Sequence, residues 1–184
     1  AALENNMFGP GQPPGVQEET GKCTIADRGG GPGCGRQNAG GVALGYADPQ
    51  SSITISSDVF YYWLGDRMWQ GRGLLGETPI QDAGARFGLG SKTGIPLAGE
   101  QGGLLPTPER RRRAYDATEK ELAPGEENPM GRRNWTAGDN VNLSIGQGDA
   151  LVTPLQLANA YATIGNGGTH NKPLLVGRVT VPTD

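Results

Sequence analysis

The sequence contains few of the residues that bind metals or cross-link protein chains. Its 184 residues include two cysteines, Cys23 and Cys34, and a single histidine, His170. Two thiolates do not complete a zinc site by themselves, so no metal centre is predicted. Ten residues separate the cysteines, and the sequence is equally compatible with a disulfide in an oxidising compartment and with two free thiols.

Long apolar runs and a strong net charge are also absent. No stretch of about 18 apolar residues occurs, so no membrane-spanning segment is predicted and any anchor is expected outside these residues. The formal net charge of −3 disfavours a general nucleic-acid binder. The basic run Arg110–Arg113 precedes Asp116 and Glu119, and we interpret it as a solvated helix face with ion pairs rather than a nucleic-acid site.

Glycine and proline, in contrast, are abundant. The 32 glycines and 14 prolines make up a quarter of the chain, which indicates long loops between a few locally packed elements. Residues 9–46 hold sixteen of them and show little periodicity, so we predict a long surface excursion with one short strand. The expected fold class is therefore mainly α with long Gly/Pro-rich loops.

Threonine followed by proline marks several helix starts. Threonine supplies an oxygen for the unpaired N–H groups of a first turn, and proline at the first helical position loses no hydrogen bond. Such pairs occur at Thr78, Thr107 and Thr153, and Asp48-Pro49 has the same form. The pattern predicts helices over 49–69 (interrupted), 79–87, 108–121 and 154–164.

The last predicted helix carries an apolar stripe. Leu157, Tyr161 and Ile164 recur at spacings of four and three, which predicts a face that is buried against a partner. Glycines at 165, 167 and 168 then end the helix. The apolar segment 173–184 predicts the start of a strand region.

Two short patterns resemble known binding or turn motifs. Gly71–Gly76 fits G-x-G-x-x-G, but it follows an aromatic helical segment rather than a strand, so no dinucleotide site is predicted. Ser56 and Ser57 precede the dense aromatic segment VFYYW. From the residues alone, these serines form the cap and turn between two helices, with Asp58 as a first-turn carboxylate.

Six segments occur in an order that resembles one enzyme family. They are AALE at 1–4, NAGGVALG at 38–45, SSDVFYYWLGDRM at 56–68, FGLGSKTGIPLAGEQGGLLPT at 87–107, NLSIGQG at 142–148 and TPLQLANAYATIGNGG at 153–168. The series resembles the middle of the transpeptidase domain of a class B penicillin-binding protein of the cell-elongation type. The resemblance implies the helical part of the α/β, serine β-lactamase-like fold, with the central sheet largely outside the chain.

The resemblance also divides the chain. It implies a partial transpeptidase domain over 1–184, with Ala1–Met7 as the tail of a helix. The implied parts are the loop-rich excursion (9–46), the S-x-D helix region (48–69), helices and connector (77–121), the glutamine loop and helix (134–168), and the start of the strand region (173–184).

Three signatures carry catalysis in this family, namely S-x-x-K, S-x-N and K-T-G. No S-x-x-K occurs here, so the nucleophilic serine and its lysine are expected upstream of Ala1. Ser56 and Asp58 are the implied catalytic residues of the second signature, with aspartate in place of asparagine. Ser56 would share the proton relay, and an ionised Asp58 would raise the pKa of the catalytic lysine.

The third signature has a match that we interpret as incidental. Lys92-Thr93-Gly94 lies upstream of the glutamine loop among glycines and prolines, where no sheet strand is predicted. The catalytic K-T-G is expected beyond Asp184. The loop itself is interpreted as structural, with the amide of Gln147 as a clamp between two backbone groups.

The function implied by the resemblance is cross-linking of peptidoglycan by a serine D,D-transpeptidase. Its expected partners are the D-Ala-D-Ala stem peptide, β-lactams, the flanks of the same protein and a membrane glycosyltransferase of the elongation machinery. The expected location is the extracytoplasmic face of the bacterial membrane. No cofactor is expected.

Without the nucleophile, the isolated chain is expected to be inactive and to leave apolar helix faces uncovered. A β-lactam-sensing receptor and a D,D-carboxypeptidase are the alternatives.

Overall fold

The computed structural model describes residues 16–18 and 36–177. These form two compact units, one within Ala1–Ile80 and Thr107–Gly148, the other within Gln81–Pro106 and Asp149–Asp184. The expected helix tail at Ala1–Met7 and the question of a Cys23–Cys34 disulfide lie outside the described residues. The residues beyond Gly177, where most of the strand region predicted over 173–184 falls, also lie outside the described residues.

Helices make up most of the regular structure that is described. Their bounds are α1 Pro49–Thr54, α2 Asp58–Gln70, α3 Arg72–Leu75, α4 Pro79–Arg86, α5 Pro108–Glu121, α6 Ala137–Ser144 and α7 Pro154–Gly165. The helix starts predicted from Asp-Pro and Thr-Pro are confirmed at Pro49, Pro79, Pro108 and Pro154. Asp48, Thr107 and Thr153 cap their helices, each through a side-chain oxygen that accepts from a first-turn N–H.

Strand structure is sparse among the described residues. β1 (Val16–Glu18) pairs antiparallel with β2 (Gly45–Ala47), with Val16 opposite Ala47. A strand within residues 9–46 was predicted, and β1 confirms it. The pairing with β2 was not predicted, because the Gly45-Tyr46-Ala47 segment is too short to show an alternating pattern. The mainly helical fold class is confirmed.

The core of the first unit lies between α2 and α6. Val59, Tyr62 and Val141 are buried together, with Ile145 packed beside them. α6 was not predicted, although Thr136 and Asp139 form a capping box at its start. That T-x-x-D pattern was the available signal.

Ion pairs join α5 to neighbouring segments of the same unit. Arg111 Nη1 lies 3.3 Å from an oxygen of Asp139, and Arg133 makes a two-bond contact with Asp116 at 2.6 and 2.8 Å. Arg113 pairs with Glu109 one turn away, with both side chains mostly exposed. The interpretation of the basic run as a solvated, ion-paired helix face is confirmed for Arg113, whereas the side chain of Arg111 is only 14% exposed beside Asp139.

α7 in the second unit buries mainly polar side chains and exposes its large apolar ones. Gln156, Asn159 and Thr163 are buried, whereas Leu157, Tyr161 and Ile164 are 50%, 69% and 63% exposed. The prediction that this stripe is buried is therefore wrong for the chain by itself: the side of α7 that packs carries Gln156, which donates to the carbonyls of Ser91 and Gly102. The expectation of uncovered apolar faces is met here.

Within the described residues, no helix combines the length and the apolar character needed to cross a bilayer.

Candidate functional site

The junction of α1 and α2 places Ser56 in an unusual backbone conformation. The Ser57 N–H donates to the carbonyl of Ser52 (2.9 Å), and the Ser56 N–H donates to that of Ile53 (3.4 Å). These two bonds form a Schellman motif, which requires a left-handed residue after the helix end and is usually built with glycine. Ser56 fills that position with a φ of 56°, and it is the only non-glycine residue with positive φ in the described part of the chain.

The two adjacent serines have different environments. Ser57 is fully buried, and its Oγ caps α2 by accepting from the N–H of Phe60 at 3.1 Å. Ser56 is exposed, and Asp58 follows as the first residue of α2. The predicted cap and turn are confirmed, with Ser57 as the cap, so the hydroxyl of Ser56 is the one that faces solvent.

A cleft of about 300 Å³ opens at this junction. Its lining comes from α1, the turn, the first turn of α2 and the end of α6: Ser52, Ile53, Ser56, Ser57, Asp58, Tyr61, Ser144 and Ile145. The structure thus brings Ser56 and Asp58 together in one cleft. Ser52 is buried and donates to Pro49 O (3.1 Å) or to the Tyr61 hydroxyl (3.3 Å), so its oxygen is already engaged by the protein.

Asn38 holds the start of α2 from a distant part of the sequence. Its Oδ1 accepts from the N–H of Val59 (3.1 Å) and its Nδ2 donates to the carbonyl of Val42 (2.9 Å). The side chain is 2% exposed, and a buried amide of this kind is expected to use its hydrogen-bonding groups. The segment NAGGVALG therefore positions the S-x-D helix, a role that sequence reasoning missed.

Arg36 and Asp58 shift the pKa of the Tyr62 phenol in opposite directions. Burial raises the pKa of Tyr62 above its ordinary 10.0, and the negative charge of Asp58 raises it further, whereas Arg36 lowers it. The guanidinium of Arg36 lies 5.9 Å from the ring centre. It also donates to Asn142 Oδ1 (3.0 Å) and to the carbonyl of Gly138 (3.2 Å), which ties the segment before Asn38 to α6.

The SIGQG segment contributes through its serine rather than its glutamine. Ser144 Oγ lies 2.7 Å from the carbonyl of Tyr61 on α2 and lines the cleft. Gln147 is exposed, and its side chain has no hydrogen bond in the described part of the chain. The clamp predicted for Gln147 is therefore not seen. Gln156 forms one instead, donating to the carbonyls of Ser91 (2.6 Å) and Gly102 (2.7 Å).

The K-T-G match at Lys92 lies in a loop with no strand assignment. Glu100 binds it: one carboxylate oxygen accepts from the N–H and hydroxyl of Thr93 (2.6 Å each), and the other accepts from the N–H of Gly94 (3.1 Å). Gly94 has a φ of 79°, a conformation that favours glycine over residues with a side chain. The structure agrees with the interpretation of this segment as a connector.

Comparison with known proteins identifies the family. The model of the penicillin binding protein transpeptidase domain matches residues 21–183. The peptidoglycan D,D-transpeptidase MrdA of Acinetobacter baumannii is 33% identical over 129 residues, which cover 70% of this chain and 16% of that protein. The chain therefore spans a small part of the length of this relative.

Solved structures give the same result for the fold. The structure of Pseudomonas aeruginosa PBP2 in complex with WCK 5153 matches with a TM-score of 0.67 at 25% identity, covering 92% of this chain and 33% of that one. PBP2 from Helicobacter pylori matches with a TM-score of 0.64 at 21% identity, over 94% and 27% of the two chains. The chain belongs to the penicillin-binding protein transpeptidase family, as a class B member of the elongation type.

Proposed function

We propose that these residues form the central part of a D,D-transpeptidase domain that cross-links peptidoglycan stem peptides through a serine acyl-enzyme. The proposal is carried by the position of Ser56 in the cleft. A non-glycine residue in the left-handed region costs roughly 1–2 kcal/mol, and such strain persists mainly where function requires the side chain. A serine hydroxyl beside a carboxylate at a cleft suits proton relay and substrate binding.

The proposed reaction has two steps. A nucleophilic serine, in an S-x-x-K that these 184 residues do not contain, attacks the carbonyl that joins the two D-alanines of the stem peptide. The ester forms, the terminal D-alanine leaves with a proton on its nitrogen, and an amine of a neighbouring strand then displaces the serine. β-lactams acylate the same serine.

Ser56 and Asp58 have separate roles in this scheme. The hydroxyl of Ser56 passes a proton between the lysine of S-x-x-K and the leaving nitrogen. Asp58, as an ionised group, binds the lysine or the substrate backbone and favours the charged form of that lysine. Both roles require a carboxylate and a hydroxyl that face the same cleft, as these two do.

Labelling of the full-length protein with a fluorescent penicillin tests the proposal. Ser56→Ala is expected to slow acylation by about 10²–10⁴-fold, the usual contribution of a positioned acid–base group. Ser91→Ala is the matched control, because the hydroxyl of Ser91 is exposed and bonded weakly to Gly88 (3.5 Å). Acylation of Ser56→Ala at the rate of the unaltered protein would refute the role of Ser56.

The 184-residue chain by itself is proposed to be inactive. Because it has no S-x-x-K, it is expected to form no covalent adduct with the same penicillin on a denaturing gel. A covalent band would show that a nucleophile is present among these residues.

The acceptor and the location belong to the same proposal. The whole protein is proposed to lie at the extracytoplasmic face of the membrane, anchored by a segment not in this chain and working with a membrane glycosyltransferase. Product analysis with and without an amine acceptor tests the transfer step. A cross-linked product is expected with the amine, whereas release of D-alanine with water as sole acceptor would indicate a D,D-carboxypeptidase.

A further inference from the structure

Helices α2 and α6 approach each other closely at Gly65. A Cβ atom at Gly65 would lie 2.7 Å from Ser144 Oγ and 3.1 Å from the Cα of Val141. Contacts under about 3 Å are closer than carbon and oxygen atoms pack. Only a residue without a side chain allows this crossing, so the separation of the two helices is fixed by Gly65.

Two side chains of α6 bond to backbone carbonyls of α2. Asn140 Nδ2 donates to the carbonyl of Gly65 at 2.7 Å, and Asn140 is 3% exposed. Ser144 Oγ lies 2.7 Å from the carbonyl of Tyr61 and 2.6 Å from that of Val141 in its own helix, so its single proton is shared between them. The two donors are four residues apart, as are the Tyr61 and Gly65 carbonyls.

This matched spacing controls the rotation of α2 about its axis. A single hydrogen bond between two helices lets them pivot about it. Two hydrogen bonds one turn apart restrain both the rotation of α2 about its axis and its slide along α6. A rotation of about 20° moves a side-chain atom about 5 Å from the axis by about 2 Å. The first turn of α2 carries Asp58 and follows directly on Ser56, so both would be displaced in the cleft.

We propose that Asn140 and Ser144 are positioning residues that aim Ser56 and Asp58 at the reacting atoms. The inference rests on the proposed function of Ser56. It gives Ser144 of the SIGQG segment a role in the rate of acylation, exerted through the carbonyl of Tyr61 rather than by contact with the nucleophile.

The test measures acylation of the full-length protein by a fluorescent penicillin over a range of concentrations, which separates binding from the chemical step. Asn140→Leu removes the donor at similar size, and Ser144→Ala removes the hydroxyl with the smallest change of shape. Thr118→Ala is the control, because its hydroxyl donates to a carbonyl of its own helix, Ala114 O at 3.0 Å. Thermal unfolding is recorded for each variant.

Both α6 variants are expected to slow the chemical step by about tenfold to a hundredfold, since a misplacement of about 1 Å can cost about a hundredfold. Binding of the penicillin to these variants is expected to change by less than about threefold. For the control, Thr118→Ala, both binding and the chemical step are expected to change by less than about twofold. An unchanged chemical step in folded Ser144→Ala protein would overturn the inference, as would a loss confined to binding. If Ser56→Ala is itself unimpaired, the proposed role of Ser56 fails and the positioning role falls with it. If only Ser144→Ala is unimpaired, the positioning role fails alone.

Discussion

Asn38 and Val59, 21 residues apart, are joined by a buried hydrogen bond in which the amide oxygen of Asn38 accepts from the backbone N–H of Val59. The same side chain donates to the carbonyl of Val42. One buried amide therefore connects the glycine-rich segment to the helix that carries Asp58. The start of that helix is fixed by a residue outside its own sequence.

Replacement of Asn38 by alanine is expected to lower the free energy of unfolding by about 1–3 kcal/mol, because the mutation leaves buried backbone groups without partners. Urea denaturation measures the change. Gln37→Ala is the matched control, since Gln37 is exposed and surface changes usually stay within about 0.5 kcal/mol. Equal stability of the two variants would show that the amide of Asn38 does not hold α2.

The sequence predicted helix starts well and long-range anchors poorly, for a physical reason. Asp48, Thr107 and Thr153 cap the turn directly after them, so the signal lies within four residues. The bonds of Asn38 to Val59 and of Asn140 to Gly65 span 21 and 75 residues. No local pattern distinguishes such an asparagine from one in a solvated turn.

The residues of the candidate site were predicted from the sequence, but their geometry was not. The resemblance selected Ser56 and Asp58, and the structure places both in one cleft. The left-handed conformation of Ser56 could not be read from the residues, because glycine is the usual occupant of that position. For α7, burial of its large apolar residues was predicted, whereas its buried face is mainly polar and consists of Gln156, Asn159 and Thr163 beside the small Ala160.

Ser56→Gly is expected to separate stability from activity. Glycine adopts a φ of 56° without the steric cost that serine bears, so the free energy of unfolding should stay equal or rise by up to about 1 kcal/mol. Acylation by penicillin should fall as it does for Ser56→Ala. Denaturation and labelling of the same preparation test both effects, and a clear loss of stability would mean that the serine side chain is itself structural.

Ser57→Ala, unlike Ser56→Gly, is expected to lower the stability of the protein. Its Oγ caps α2 and is fully buried, so the free energy of unfolding should fall by about 1 kcal/mol, within the range of about 0.5–2 kcal/mol for lost caps. Denaturation measures this directly. A stability equal to that of the unaltered protein would argue against the capping role.

Gly65→Ala is expected to destabilise the first unit by about 1–3 kcal/mol, because a methyl group overpacks the crossing with α6. Gly73→Ala is its control: Gly73 is also helical, and a Cβ there meets nothing within 4 Å. That substitution should be neutral or stabilise by up to about 1 kcal/mol. If Gly65→Ala is as stable as Gly73→Ala, the helices can separate without cost.

Glu100 is expected to make the connector sensitive to acid. Hydrogen bonds lower the pKa of Glu100 below its usual 4.5, chiefly the bond from the hydroxyl of Thr93. The N–H groups of Thr93 and Gly94 lower it further. A carboxyl with a lowered folded pKa stabilises the protein above the unfolded value and loses that contribution as the pH falls through the folded value. The difference in unfolding free energy between the unaltered protein and Glu100→Gln should therefore shrink below pH 4.5.

Denaturation of both proteins at a series of pH values measures that difference. A difference that stays constant from neutral pH to well below 4.5 would show that the ionised form of Glu100 does not contribute.

The polarity of α7 also determines how these residues behave when they are produced alone. Its hydrogen-bonding side chains are withdrawn from water, while Leu157, Tyr161 and Ile164 face it. Molecules with such a face associate through it as their concentration rises. Kosmotropic salt should strengthen this association, because it favours burial of apolar surface, and a mild detergent should disperse it.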